Sequence, residues 1–215
     1  MKIKFANKIF ILQTDGTLYW PKMKVLIAAD LHLEKSSFYA FHKVSNLPPY
    51  DSIDTISRLK KKIKQLNVNS LILLGDIFHD KDGYKRMKNN TKKILQDICN
   101  EYLVIWIIGN HDGILAPANT LVYEDYLIEN IKFTHISSSG ALFEISGHYH
   151  PKATFKYKGK KIAKPTFLVS TNKIILPAYG TYTGGLSINS QVFKKVFKTD
   201  YRAFVTSNNK VFVVE

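Results

Sequence analysis

Five short segments hold the side chains best suited to chemistry: Asp30-Leu31-His32, Gly75-Asp76, Gly109-Asn110-His111-Asp112, Thr134-His135 and Gly147-His148-Tyr149-His150. Singly, each has a plain reading. A Gly-Asp pair makes a turn, and a histidine after a strand is usually a surface or hydrogen-bonded residue. Their placement argues for more. Four of them close the apolar runs VLIAAD, LILLGD, LVIWIIGNHD and LFEISGHYH, and His135 closes the shorter IKFT. Ligands bind at the carboxyl ends of strands in open α/β sheets, so residues far apart in sequence can converge on one edge. Carboxylate oxygen, imidazole nitrogen and amide oxygen suit Mn, Fe or Zn, and the absence of thiolate argues against a structural zinc site. His148 and His150 sit two apart, as do Asp30 and His32; on extended backbone each pair points one way. Gly75, Gly109 and Gly147 allow sharp turns and close backbone approach.

The elements that must position these residues are legible in the hydrophobic pattern. Lys8–Leu12 and Thr17–Trp20 flank the turn Thr14-Asp15-Gly16 and predict a hairpin. Met23–Ala29, Ser70–Leu74 and Leu103–Ile108 are nearly continuous apolar runs, as expected of strands buried on both faces. Between them, Ile53, Ile56, Leu59, Ile63 and Leu66 recur at helical spacing after the capping candidates Asp51 and Ser52, with Lys60, Lys61, Lys62 and Lys64 mostly on the solvated face. A second helix is expected over about Tyr84–Tyr102, and residues 34–50 have no clear period and are expected to be a loop. The second half reads as strands: Ile131–Thr134, Ala141–Ile145, Ala153–Tyr157, Thr166–Val169, Lys173–Leu176, Ala203–Thr206 and Val211–Val214. Alternating strands and helices predict parallel pairing, and the β-rich remainder predicts a second sheet. The expected fold class is α/β, with two packed mixed sheets flanked by helices, in one domain over residues 1–215.

The ordered set D-x-H, G-D, G-N-H-D, H, G-H-x-H resembles the calcineurin-like metallophosphoesterase superfamily, whose fold has four layers, αββα. The resemblance implies two divalent metal ions, Mn first and Fe, Zn or Mg as alternatives. It implies that Asp30, His32, Asp76 and His150 hold one, and that Asp76, Asn110, His135 and His148 hold the other, with Asp76 bridging. His111 would face the scissile phosphate beside Asn110, and Asp112 would orient His111. Two such cations acidify a water toward neutral pH and neutralise phosphate oxygens during in-line attack, and a protonated His111 can assist the leaving oxygen.

Further segments narrow the resemblance. Leu18-Tyr19-Trp20-Pro21, Ala29-Asp30-Leu31-His32-Leu33-Glu34-Lys35, Leu47-Pro48, Gly147-His148-Tyr149-His150-Pro151 and Leu176–Gly185 are similar to the bacterial ligase-associated DNA damage response endonuclease family. That family usually carries glycine where this chain has Glu34. The resemblance implies DNA as substrate, a repair role, and association with a DNA ligase and a helicase.

Composition bears on the same question. The 215 residues carry a net charge of +14, an excess that suits polyanions. Nearly all of it is lysine, since only Arg58, Arg86 and Arg202 are arginines, and an AT-rich genome would have the same effect. Lys152, Lys156, Lys158, Lys160, Lys161 and Lys164 follow the last metal motif and interleave with Phe155 and Tyr157. Lys156 and Lys158 are therefore candidate DNA contacts, against the alternative of a lysine-protected edge strand. His79, three residues past Asp76, is expected to approach the site, and Leu176–Gly185 to form its rim. The single cysteine, Cys99, excludes an intrachain disulfide framework and reads as a small buried residue. No apolar run approaches a membrane span, and Ile9–Leu12 is too short for a signal-peptide core. A cytoplasmic protein without membrane contact is expected.

Overall fold

In the computed structural model, which describes residues 1–113, 116–138, 140 and 142–214, the chain begins with β1 (Lys2–Phe5), β2 (Lys8–Leu12) and β3 (Leu18–Trp20). The first long apolar run supplies β4 (Val25–Ala28). Next come α1 (Lys35–Phe41), α2 (Asp51–Leu66), β5 (Ser70–Leu74), the short α3 (Gly83–Arg86), α4 (Asn89–Glu101), β6 (Leu103–Ile107) and β7 (Thr120–Tyr123). These strands form one sheet in the order β1 to β7. Its first half is antiparallel, and β4 through β7 pair in parallel.

The chain changes sheets at Glu124. Beyond it lie β8 (Asp125–Ile128), β9 (Ile131–Thr134), β10 (Phe143–Ser146), β11 (Lys152–Tyr157), β12 (Lys160–Val169), β13 (Lys173–Ile175), α5 (Gln191–Phe197), β14 (Arg202–Thr206) and β15 (Val211–Val214). The second sheet runs β15-β14-β12-β13-β10-β9-β8, and β11 lies off this path, paired with β12. At its heart β9, β10 and β13 are parallel. Ala141, within an expected strand, lies outside the described residues, as does the side chain of Tyr157.

Period-two alternation builds the layers. Val25, Ile27, Ile72, Leu74, Ile105 and Ile107 point between the sheets, where they meet Phe133, Ile145, Phe167 and Phe204. Their neighbours Leu26, Ala28, Leu71, Leu73, Val104 and Trp106 point outward onto Ile56, Leu59 and Ile63 of α2 and Leu95, Ile98 and Cys99 of α4. Across the second sheet, Leu168, Ile175 and Ala203 pack on Phe193 and Phe197 of α5. The result is the expected four-layer αββα arrangement. Each fully buried Leu, Ile or Phe contributes roughly 1.5–3 kcal/mol.

Two expectations are corrected. Residues 34–50 are not all loop, because α1 occupies Lys35–Phe41. Seven residues cannot hold a helix by themselves; this one is held from outside. The Ser36 amide donates to Asp51, and the rings of Phe38 and Tyr39 contact His79. The expected helix over Tyr84–Tyr102 is broken at Met87, which adopts extended backbone and buries its side chain against the helix-side core.

Glu34, in front of α1, has φ +64 and is buried, and its amide donates to Ser52 Oγ at 2.7 Å. The left-handed region costs a residue with a Cβ about 1–2 kcal/mol and β-branched residues most. This accounts for the family's glycine here. Urea denaturation should find Glu34→Gly as stable as the wild type or more so, and Glu34→Val less stable by about 1–2 kcal/mol. Equal stability of the two variants would contradict the backbone assignment.

Candidate metal centre

The parallel strands β4, β5 and β6 end side by side, and their next residues supply Asp30 and His32, Asp76, and Asn110 and His111. From the second sheet, β9 ends before His135 and β10 before His148 and His150. The strand pairing of β4 with β5 continues past the strand ends: Asp30 N donates to Gly75 O (3.2 Å), His32 N to Asp76 O (2.9 Å) and Leu33 N to Ile77 O (2.8 Å). This extended ladder holds an unusual backbone. Asp30, His32, Asp76, His148 and His150 all have positive φ, between 43° and 72°. Asp and His tolerate this region better than most residues, and such strain gathers at functional sites.

Contacts across the sheets fix the two edges. Asp30, wholly buried, accepts the His148 amide with both carboxylate oxygens, at 3.1 and 2.9 Å. Gly147 makes the approach possible, since a Cβ there would lie 2.6 Å from Asp30 Oδ2 and 2.7 Å from Ala29 Cβ. Gly75, at φ +74, leaves room for the His135 ring, which a Cβ would meet at 2.4 Å. The expected rim segment, residues 176–185, acts as a strap: Tyr179 N donates to Ala29 O (2.9 Å) and Gly180 N to Asp30 O (3.1 Å).

Seven side chains gather into two groups. In one, donor atoms of Asp30, His32 and His150 lie within 4.8 Å of one another; in the other, those of Asp76, His135 and His148 do. Asp76 reaches toward both, with Oδ2 3.9 Å from His32 Nε2 and Oδ1 3.4 Å from His135 Nε2. Asn110 joins the second group, its Oδ1 3.0 Å from His135 Nε2.

The donor chemistry fits divalent cations. His135 Nδ1 faces the Leu74 carbonyl at 2.8 Å, which can only accept, so Nδ1 carries a proton. In the neutral ring, Nε2 then aims a lone pair at oxygens of Asp76 and Asn110. His32 Nε2 faces His150 Nε2 at 3.2 Å, and His148 Nδ1 faces His135 Nε2 at 3.1 Å. Lone pairs converging this way call for a cation, and a ring N–H held by a carbonyl is the usual outer support of a histidine ligand.

The charges follow the same geometry. Burial, then the facing His150, lowers His32 to about 3. Burial opposes ionisation of Asp76, but the hydrogen bond and charge of His135, with the His111 amide, bring it to about 2. Burial would lower His135 too, yet Asp76 and Asp30 raise it.

Asp112 departs from expectation. Its Oδ1 accepts the Phe78 amide and its Oδ2 the Gly109 amide, both at 2.9 Å, and it forms no hydrogen bond or ion pair with His111. Burial pushes the carboxyl up to about 6 against these two donors. Asp112 ties the loop after β6 to the loop after β5. His111 is held instead by its amide, which donates to Asp76 Oδ1 at 2.9 Å, and by rings. It stacks on His79 with centroids 5.9 Å apart and planes 8° apart, and meets His32 edge-on at 5.6 Å. Thus His79 does approach the site. Lys156 and Lys158 do not join it; both are exposed on the β11–β12 hairpin.

The calcineurin-like phosphoesterase family model matches residues 23–208, and the chain belongs to that family. It is a metal-dependent phosphoester hydrolase with two candidate His/Asp metal sites. Its fold is shared with the nuclease MPE of Pseudomonas putida, at a TM-score of 0.77 and 23% identity over 100% of this chain and 99% of that one. Yfce, a phosphoesterase from E. coli, superposes at a TM-score of 0.40 with 15% identity over 88% of this chain and 91% of its own. No curated protein sequence matches the chain. No helix among the described residues is long and apolar enough to cross a membrane.

Asp112→Ala would strand two buried amides and should destabilise the protein by about 2–6 kcal/mol, since each unmet buried group costs about 1–3 kcal/mol. Thermal unfolding measures this. A variant of unchanged stability that only loses turnover would return Asp112 to a catalytic role.

Proposed function

We propose that the chain is a two-metal phosphodiesterase that cleaves DNA, with a single catalytic domain over residues 1–215. In this reading Asp30, His32, Asp76 and His150 hold one ion; Asp76, Asn110, His135 and His148 hold the other. The observation that carries it is the position of Asp76 between two clusters of facing imidazoles. When bound, the cation pair supplies an acidified water and neutralises phosphate charge. Manganese suits the mixed nitrogen and oxygen donors.

The chain's own groups do the rest. Asn110 and His111 stand at the mouth of the centre, where the reacting phosphate enters. His111, whose side chain is 47% exposed, delivers a proton to the leaving oxygen or hydrogen-bonds to it as charge develops. Its ring is oriented by His79 and His32. Asp112 acts one step back, by fixing the loop that carries Asn110 and His111.

The DNA part of the reading is supported by the net charge of +14, by the resemblance in sequence to a DNA repair endonuclease family, and by the nuclease activity named for the Pseudomonas putida protein. Association with a DNA ligase or helicase, and a role in repair, follow from that resemblance; a cytoplasmic location is supported by the shortness of the apolar run Ile9–Leu12. Lys156 and Lys158 would meet DNA at a distance from the metals.

A substrate panel with Mn tests the reading: single-stranded DNA, duplex DNA, RNA, cyclic nucleotides and a phosphomonoester. Scission of DNA is expected. Turnover confined to the monoester or to cyclic nucleotides would replace DNA with a small phosphoester. On DNA, His111→Ala should lower kcat by about 10²–10⁴-fold while metal content stays at the wild-type level. Asp76→Asn should reduce both, as read by elemental analysis beside turnover. An Asp76→Asn protein with unchanged metal content would remove the bridging role.

A further inference from the structure

Two lysines at the rim have no place in the account so far. Lys35 opens α1, and Lys152 opens β11, two residues after His150; both are partly buried. Lys152 Nζ donates to Thr183 O at 2.8 Å, on the loop that runs against His150, where a Cβ on Gly185 would lie 2.1 Å from His150 O. Lys35 Nζ lies 5.8 Å from the centre of the Tyr39 ring, and Tyr39 contacts His79, which stacks on His111.

Neither ammonium has a carboxylate within ion-pairing distance among the described residues. Asp51 is the acid whose field Lys35 feels, but both its oxygens are taken by Ser36. Lys35 follows His32 by three residues and Lys152 follows His150 by two, and the two histidine rings face each other at 3.2 Å, so both lysines stand at one rim of the centre. Burial, and then the charge of Lys152, lowers the Lys35 pKa. Two partly desolvated like charges at one rim cost energy that an anion between them would offset.

We propose that Lys35 and Lys152 together bind the phosphate next to the scissile one, so that the enzyme reads a polynucleotide backbone rather than a lone phosphoester. The inference rests on the DNA reading above and deepens it. The scissile phosphate lies over His111. Lys35 is separated from His111 by the Tyr39 and His79 rings, which puts it one step outward. Lys156 is four residues along β11 from Lys152, or about 13 Å, and serves at most a more distant phosphate.

The test compares a thymidine dinucleotide, with one phosphodiester, and a trinucleotide, with two. For the Mn-loaded wild type, kcat/KM should rise about tenfold from the first to the second, as expected for a hydrogen bond to a charged group. In Lys35→Gln/Lys152→Gln this ratio should fall to about one. Lys35→Gln alone breaks no hydrogen bond of the fold and should give an intermediate ratio, and Lys35→Arg should restore it. On longer single strands, the salt dependence of KM should flatten by about 0.7 per lysine removed. A double variant that keeps the wild-type ratio overturns the role of the lysines while leaving the DNA reading intact. A double variant that loses activity equally on both substrates also overturns it, because the lysines would then act on the scissile phosphate. A wild type that carries metal but cleaves neither substrate overturns the DNA reading, and the inference with it.

Discussion

The carboxylate of Asp30 joins the two halves of this protein. It lies at the end of a strand in the first sheet, fully buried, and both its oxygens take the amide of His148 from the second. A buried carboxylate without partners would be untenable. Here the partners are an amide from the opposite sheet and the histidines around it. Every proposed metal ligand depends on this joint, since it sets how closely the ends of β4 and β10 approach. Gly147 supplies the space, and the strap at Tyr179 and Gly180 pins the Asp30 backbone from behind.

The strained backbone has the same origin. Asp-x-His sends both side chains to one group while His-x-His divides its two between the groups, just where the chain leaves a sheet. The solution is a row of left-handed residues, each unfavourable alone, held by hydrogen bonds between neighbouring loops. A family glycine at position 34 would relieve one more such residue, and this chain places Glu34 there instead. The helix that follows presents aromatic rings to His79. His79 in turn faces His111, so the most exposed histidine of the centre is supported by the helix that follows the Asp-x-His motif.

Much of this was legible in the sequence because one pattern served two purposes. Apolar runs such as LILLGD and LVIWIIGNHD are buried on both faces, which marks them as central strands, and they end on the chemical residues. Elements away from that pattern were harder to read. The helix at Lys35–Phe41 lacks a capping residue and depends on Asp51 and His79 for its place. The strands Thr120–Tyr123 and Asp125–Ile128 are four residues each and belong to different sheets, a switch no local signal announces. The direction of Asp112 was misread for a similar reason. Its sequence neighbour is His111, but its partners are the amides of Phe78 and Gly109, and the first of these is reached only in the folded chain. Lys35 and Lys152 lie 117 positions apart and reach one rim only because the fold sets His32 against His150.

The central claim is that Asp76 stands between two cations. Anomalous diffraction from crystals grown with Mn tests it most directly. The account predicts two peaks, one among Asp30, His32 and His150, the other among Asn110, His135 and His148, with Asp76 in contact with both. A single peak, or a pair of peaks that leaves Asp76 bound to only one of them, would contradict it.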